Sequence, residues 1–177
     1  SLLSQTHIDA INIPEVREEE GRGKRPVVSS SRAEPRHFGR LLQDKVGVES
    51  IVNRVVVHDE LKNQIKWFEE THEKYEIENM IIVGGESSKI KYIGPTVNQI
   101  LELVAVKYNN NGGDILCGGI TLPTRLNESK NLIRKSGNGA EFFTTQVLCD
   151  SENIIKMMNK YQQRCDVHNT FPRRILL

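Results

Sequence analysis

Apolar residues along this chain fall into six short runs separated by longer amphipathic stretches, and that alternation predicts strand and helix in turn. The first run is an alternating one, Ile8-Asp9-Ala10-Ile11-Asn12-Ile13, closed by Pro14 and preceded over 1–7 by what reads as the tail of a helix. The second, over 50–58, carries Ile51-Val52 and Val55-Val56-Val57, as a buried strand does. The third, Asn79-Met80-Ile81-Ile82-Val83, runs into Gly84-Gly85-Glu86, the form of a parallel strand feeding a loop. A small-residue run over 115–120 breaks at Leu122-Pro123, a β-branched and aromatic run covers 141–148, and Arg174-Ile175-Leu176-Leu177 begins a sixth strand.

Helical spacing fills the intervals. The pattern predicts helices over 36–45, from a cap at Asp59 with Leu61, Ile65, Phe68 and Thr71 or His72 as its apolar side, over 96–108 with Val97, Ile100, Leu101, Val104 and Ala105, over 125–136, and over 152–161. In the fourth of these, Leu126, Lys130 and Ile133 share one stripe, while Glu128, Asn131, Arg134 and Lys135 share another. Gly137 and Gly139 stop that helix, and Asp150 starts the next. Regular β-α alternation argues for an α/β fold with a parallel sheet, which crossovers of one hand can curl into a barrel.

Composition narrows the class. At 177 residues the chain supports one sizeable core, against roughly 250 residues for a full eightfold barrel. A formal net charge of +1 gives no electrostatic case for nucleic acid or an acidic membrane. Cys117, Cys149 and Cys165 are too few and too widely spaced for a zinc knuckle or a disulfide framework, so no metal is expected and a cytoplasmic setting is. No run approaches the roughly 18 apolar residues of a membrane span. The charged and polar stretch over 15–35 reads either as a mobile loop or lid, or as a solvated surface excursion.

Candidate chemistry lies at the strand ends, where a barrel places its site. Asn12 closes the first strand, His58 the second and Glu86 the third, and Gln146 lies near the end of the fifth. Each has a plain alternative: His58 satisfied by a nearby carboxylate, Glu86 capping a turn through Ser87 and Ser88, Gln146 an inward core amide. On the basic helix face, Arg134 and Lys135 could neutralise a pyrophosphate while Glu128 and Asn131 bond sugar hydroxyls, or the whole face could be solvated. Gly84-Gly85-Glu86-Ser87-Ser88-Lys89 lacks the spacing of a P-loop.

The segment N-L-I-R-K-S-G-N-G-A-E-F-F-T-T-Q-V-L-C-D resembles the methylenetetrahydrofolate reductase pattern of a basic helix, a small-residue turn and a "T-Q-x-x-x-D" strand. The resemblance implies a (β/α)8 TIM-type barrel, of which 1–177 would be a single domain holding strands two to seven and incomplete at both ends. It implies FAD at the carboxyl ends of the strands, with Asn12, His58, Glu86, Glu128, Asn131, Arg134 and Lys135 toward the cofactor and Gln146 toward the substrate. The activity implied is reduction of methylene-tetrahydrofolate to methyl-tetrahydrofolate with NADH or NADPH as electron donor, in one-carbon and methionine metabolism, with a homo-oligomer left open. Two departures stand out. V-G-G-E supplies Glu86 where the family has Asp in an L-R-G-D-like motif, and the family's proton-donating Glu would lie before Ser1. A non-catalytic barrel partner or regulatory subunit that has lost the flavin is the alternative.

Overall fold

The computed structural model describes residues 8–15, 34–85, 89–108, 115–146 and 150–177. Six strands, β1 Ala10–Ile13, β2 Glu49–Val55, β3 Asn79–Val83, β4 Leu116–Thr121, β5 Phe142–Thr145 and β6 Arg174–Leu176, pair in chain order, each parallel to the next. Five helices follow β1 to β5 in turn: α1 Pro35–Val46, α2 Leu61–Glu73, α3 Val97–Lys107, α4 Glu128–Gly137 and α5 Ser151–Val167. The result is a curled half-barrel.

The register shows which side chains face the helices. Met80 is level with Val52 on one side and Cys117 on the other, and all three belong to the buried cluster shared with helix residues such as Phe68, Leu101 and Leu132. Phe143 packs edge-on against Tyr161 of α5, and the Thr121 hydroxyl lies 3.3 Å from the Met157 sulfur. The opposite, inner face is therefore the set between these positions. Asn53, Ile81, Gly118, Phe142 and Arg174 form one level row across five strands. Gly118 is required there: an added Cβ would sit 2.5 Å from two carbons of the Phe142 ring.

Helix ends follow from their caps. Pro35 opens α1 behind Glu34, whose carboxylate accepts from the His37 amide, and Gly47 closes it at φ 71°. Thr96 and Gln99 make a reciprocal capping box on α3. Asp150 caps α5 through the Glu152 amide, as its position after β5 predicts.

Several expectations are corrected. Helix α4 begins at Glu128, not at 125, because residues 122–128 form successive tight turns, with Arg125 bonded to the Leu122 carbonyl and Glu128 to that of Arg125. Leu126 consequently lies outside the helix and is 85 % exposed, and the buried side of α4 is Glu128, Ser129 and Leu132. Strand β2 ends at Val55, and Val56–His58 turns as a 3-10 helix. Asp59 does not cap α2. Its carboxylate accepts from Arg54 at 2.8 Å, Leu61 is exposed, and Gln64, Trp67, Phe68 and Thr71 are the buried side. Helix α5 runs to Val167, six residues beyond 161, and buries Cys165.

Polar braces tie the half-barrel together from outside. Arg54 bonds Gln64 at 2.8 Å and Glu15 at 3.0 Å, joining β2 to α2 and to the end of β1. The guanidinium groups of Arg54 and Arg36 each lie 5.0 Å from the Trp67 ring centroid. Among the described residues no helix is long and apolar enough to cross a membrane.

Candidate functional site

Parallel strands expose their carboxyl ends along one edge, and the turns that follow them supply the side chains found there. At the β2 end, the 3-10 turn carries the partly buried His58 ring edge-on to Tyr92, with centroids 5.4 Å apart. Tyr92 belongs to residues 89–96, which return from β3 across the β2 end. The Gly94 amide donates to the Val57 carbonyl at 2.9 Å, and a Cβ on Gly94 would come within 2.5 Å of the Val56 and Asp59 carbonyl oxygens. Gly85, just past β3, lies under Tyr92, whose ring would be 2.3 Å from an added Cβ. These close approaches are why small residues occupy both positions.

The β4 end is built around Glu128. Its carboxylate is buried yet accepts from the Leu122 amide at 3.1 Å, Arg125 at 3.3 Å and the Asn131 side-chain amide at 2.9 Å. The Asn131 oxygen in turn accepts from Arg134 at 3.2 Å. A chain of contacts therefore runs from the strand-end loop through Glu128 and Asn131 to an exposed guanidinium. Lys135, on the same helix, turns inward. Its ammonium donates to the Ile120 carbonyl, its stem lies beside Gly119, and burial holds its pKa below the usual lysine range.

The structure thus brings Glu128, Asn131 and Arg134 together and sends Lys135 to the layer between helix and sheet. Gln146 is exposed immediately beyond β5, at the position that alternation shares with Phe142 and Thr144 on the inner face. Asn12 is exposed and level with Ile51, also on the inner face. Glu86 lies outside the described residues, as do the helix tail expected over 1–7, most of the loop expected over 15–35, and Val147, Leu148 and Cys149. Cys117 is wholly buried and its thiol is pushed up to about 12 by burial first and Glu141 second, so it is no nucleophile at neutral pH. Among the described residues, no group of three or more His, Cys, Asp or Glu is placed to hold a metal.

Asn53, Arg54 and Arg125 are not among the candidates that the strand-end and helix-face patterns single out. The first two were the only polar residues inside a β-branched run, and that interruption was the available signal. Arg125 had none, since its part in the loop depends on the late start of α4.

No family model and no curated protein matches the chain. Among solved structures it is similar to an uncharacterized protein from Clostridium thermocellum that binds two copies of 5-methyl-5,6,7,8-tetrahydrofolic acid, with a TM-score of 0.73 and 16% identity over 98% of this chain and 54% of that one. It is also similar to a 2,3-dimethylmalate lyase of the PEP mutase/isocitrate lyase superfamily, with a TM-score of 0.54 and 10% identity over 80% of this chain and 58% of that one. At such identities the likeness shows the fold alone. The chain spans little more than half the length of either structure, and the class it defines is an α/β half-barrel with TIM-like neighbours.

Proposed function

We propose that the chain binds a reduced folate at the carboxyl edge of its half-barrel and serves, in the cytoplasm, the flavin-dependent reduction of methylene-tetrahydrofolate to methyl-tetrahydrofolate by NADH or NADPH. The observation that carries the folate part is the match of 98% of the chain to a fold that holds methyl-tetrahydrofolate in the Clostridium thermocellum protein. The exposed Gln146 amide at the strand edge supports it, because an amide offers both the donor and the acceptor that a pterin edge requires.

The residues for FAD fit in part. Arg134 is exposed and pre-aimed by Asn131, so it would face the pyrophosphate, with Arg125 as the second cation at the same mouth. Glu128 acts as the anchor of this arrangement, since its own oxygens are occupied within the chain. Lys135 is committed to the Ile120 carbonyl and would contribute field more than contact. When bound, FAD supplies the hydride relay between nicotinamide and folate, while the protein supplies orientation and electrostatics.

The same commitments of Glu128 and Lys135 favour a second reading, a folate-binding barrel partner without flavin. The absorption spectrum of the purified protein separates the two. Flavin absorbance that survives desalting and falls in Arg134→Ala supports the reductase, and a colourless protein that takes up no added FAD overturns it in favour of the partner.

A further inference from the structure

We infer that Asn53 is a ligand-recognition residue on the inner face of the half-barrel, where its amide takes the lactam edge of a fused pyrimidinone ring, a ring N–H beside a carbonyl. The inference rests on the folate and flavin reading above, since pterin and flavin both carry that edge.

Asn53 stands in the strand where β-branched residues surround it, and it is 9 % exposed. Burying an amide oxygen without a partner is costly, so buried polar side chains are nearly always bonded. Five partly exposed residues, Gln43, His72, Asn98, Tyr108 and Thr145, also hold a buried side-chain atom without a partner, but the residues that are buried as a whole follow the rule closely. Of the nine buried polar or charged residues among those described, eight make a side-chain hydrogen bond. Asn53 is the exception, and its Oδ1 finds no partner. Its neighbour Arg54, on the helix-facing side, is fully engaged, so the two polar residues that interrupt the run have different work.

The row around Asn53 has the character of a ring site. On one side lie Ile81 and then the Phe142 ring filling the space above Gly118, an apolar floor between the Asn53 amide and the exposed Arg174 of β6. On the other side, diagonally across β1, is the exposed Asn12, so the face is open toward that edge. Asparagine presents an acceptor and a donor in one plane, which pairs with a ring N–H and its adjacent carbonyl together. An aliphatic residue of similar size would serve the fold as well and the ring not at all.

The test uses wild type, Asn53→Leu and Asn53→Asp, titrated calorimetrically with 5-methyl-tetrahydrofolate and separately with FAD, and melted without ligand. The expected result is that Asn53→Leu melts no lower than wild type but loses at least about tenfold in affinity for one ligand, which identifies whether pterin or flavin occupies the site. Asn53→Asp, which keeps the acceptors and loses the donor, should fall between. Equal affinities in wild type and Asn53→Leu would overturn the inference alone. A lowered melting point in Asn53→Leu with wild-type binding by Asn53→Asp would also overturn it, by making the amide structural. Wild type binding neither compound would overturn the folate and flavin reading together with it.

Discussion

Glu128→Ala separates a structural brace from a cofactor contact. The carboxylate is 1 % exposed and takes three hydrogen bonds, from Leu122, Arg125 and Asn131. A hydrogen bond to a charged group is worth about 1.5–3 kcal/mol, and truncating the acceptor leaves the Leu122 amide and the Asn131 amide unsatisfied. The Arg125 guanidinium is half exposed, so its ion pair adds less than about 1 kcal/mol. With coupling among the three, the loss comes to about 3–4 kcal/mol, or roughly 6–16 °C in Tm for a chain of this size. Thermal and urea unfolding read it directly, and Glu128→Gln, which keeps an acceptor for Leu122, should lose less than half as much. If Glu128→Ala melts within about 1 °C of wild type while flavin affinity falls, the carboxylate serves the cofactor and the brace argument is refuted.

Three further outcomes are expected. Gln146→Ala should melt like wild type, because the residue is exposed, and should lose about 1–3 kcal/mol of folate binding by calorimetry; a lower Tm with unchanged binding would make it structural. Gly118→Ala should cost about 1–3 kcal/mol in urea unfolding by driving a methyl into the Phe142 ring, and wild-type stability there would mean the ring moves freely. The Cys117 thiol is raised in the fold, so its contribution is complete below its unfolded pKa near 9 and is lost as pH rises toward about 12, at most about 4 kcal/mol. Stability measured from pH 8 to 11 should therefore decline, less steeply in Cys117→Ala, and parallel slopes would contradict the burial argument.

The parallel order of six strands was legible because each buried strand is a short apolar run and several helices carry a start or stop signal: Gly47 follows α1, the Gly137–Gly139 turn ends α4, and Asp150 caps the start of α5. Boundaries failed where side chains compete with helical spacing. Leu126 fits a helical stripe, yet Glu128 gains more by folding back on the Leu122 amide, so the helix starts late. Asp59 looks like a cap, but the Arg54 guanidinium captures it across the end of β2. The basic face of α4 was partly legible. Spacing put Glu128, Asn131 and Arg134 together, while Lys135 turned inward because its long stem fills the space beside Gly119. Asn53 was missed because a run of valines hides a single amide, and only the strand register shows which face it occupies.

Folate binding is the claim on which the rest depends, and a calorimetric titration of the purified chain with 5-methyl-tetrahydrofolate tests it most directly. Saturable binding is predicted, weakened in Gln146→Ala and accompanied by a rise in Tm that grows with ligand concentration, about 2.7 kcal/mol of added stability at a hundredfold excess over Kd. No heat of binding and no change in Tm with the wild-type protein would contradict the account.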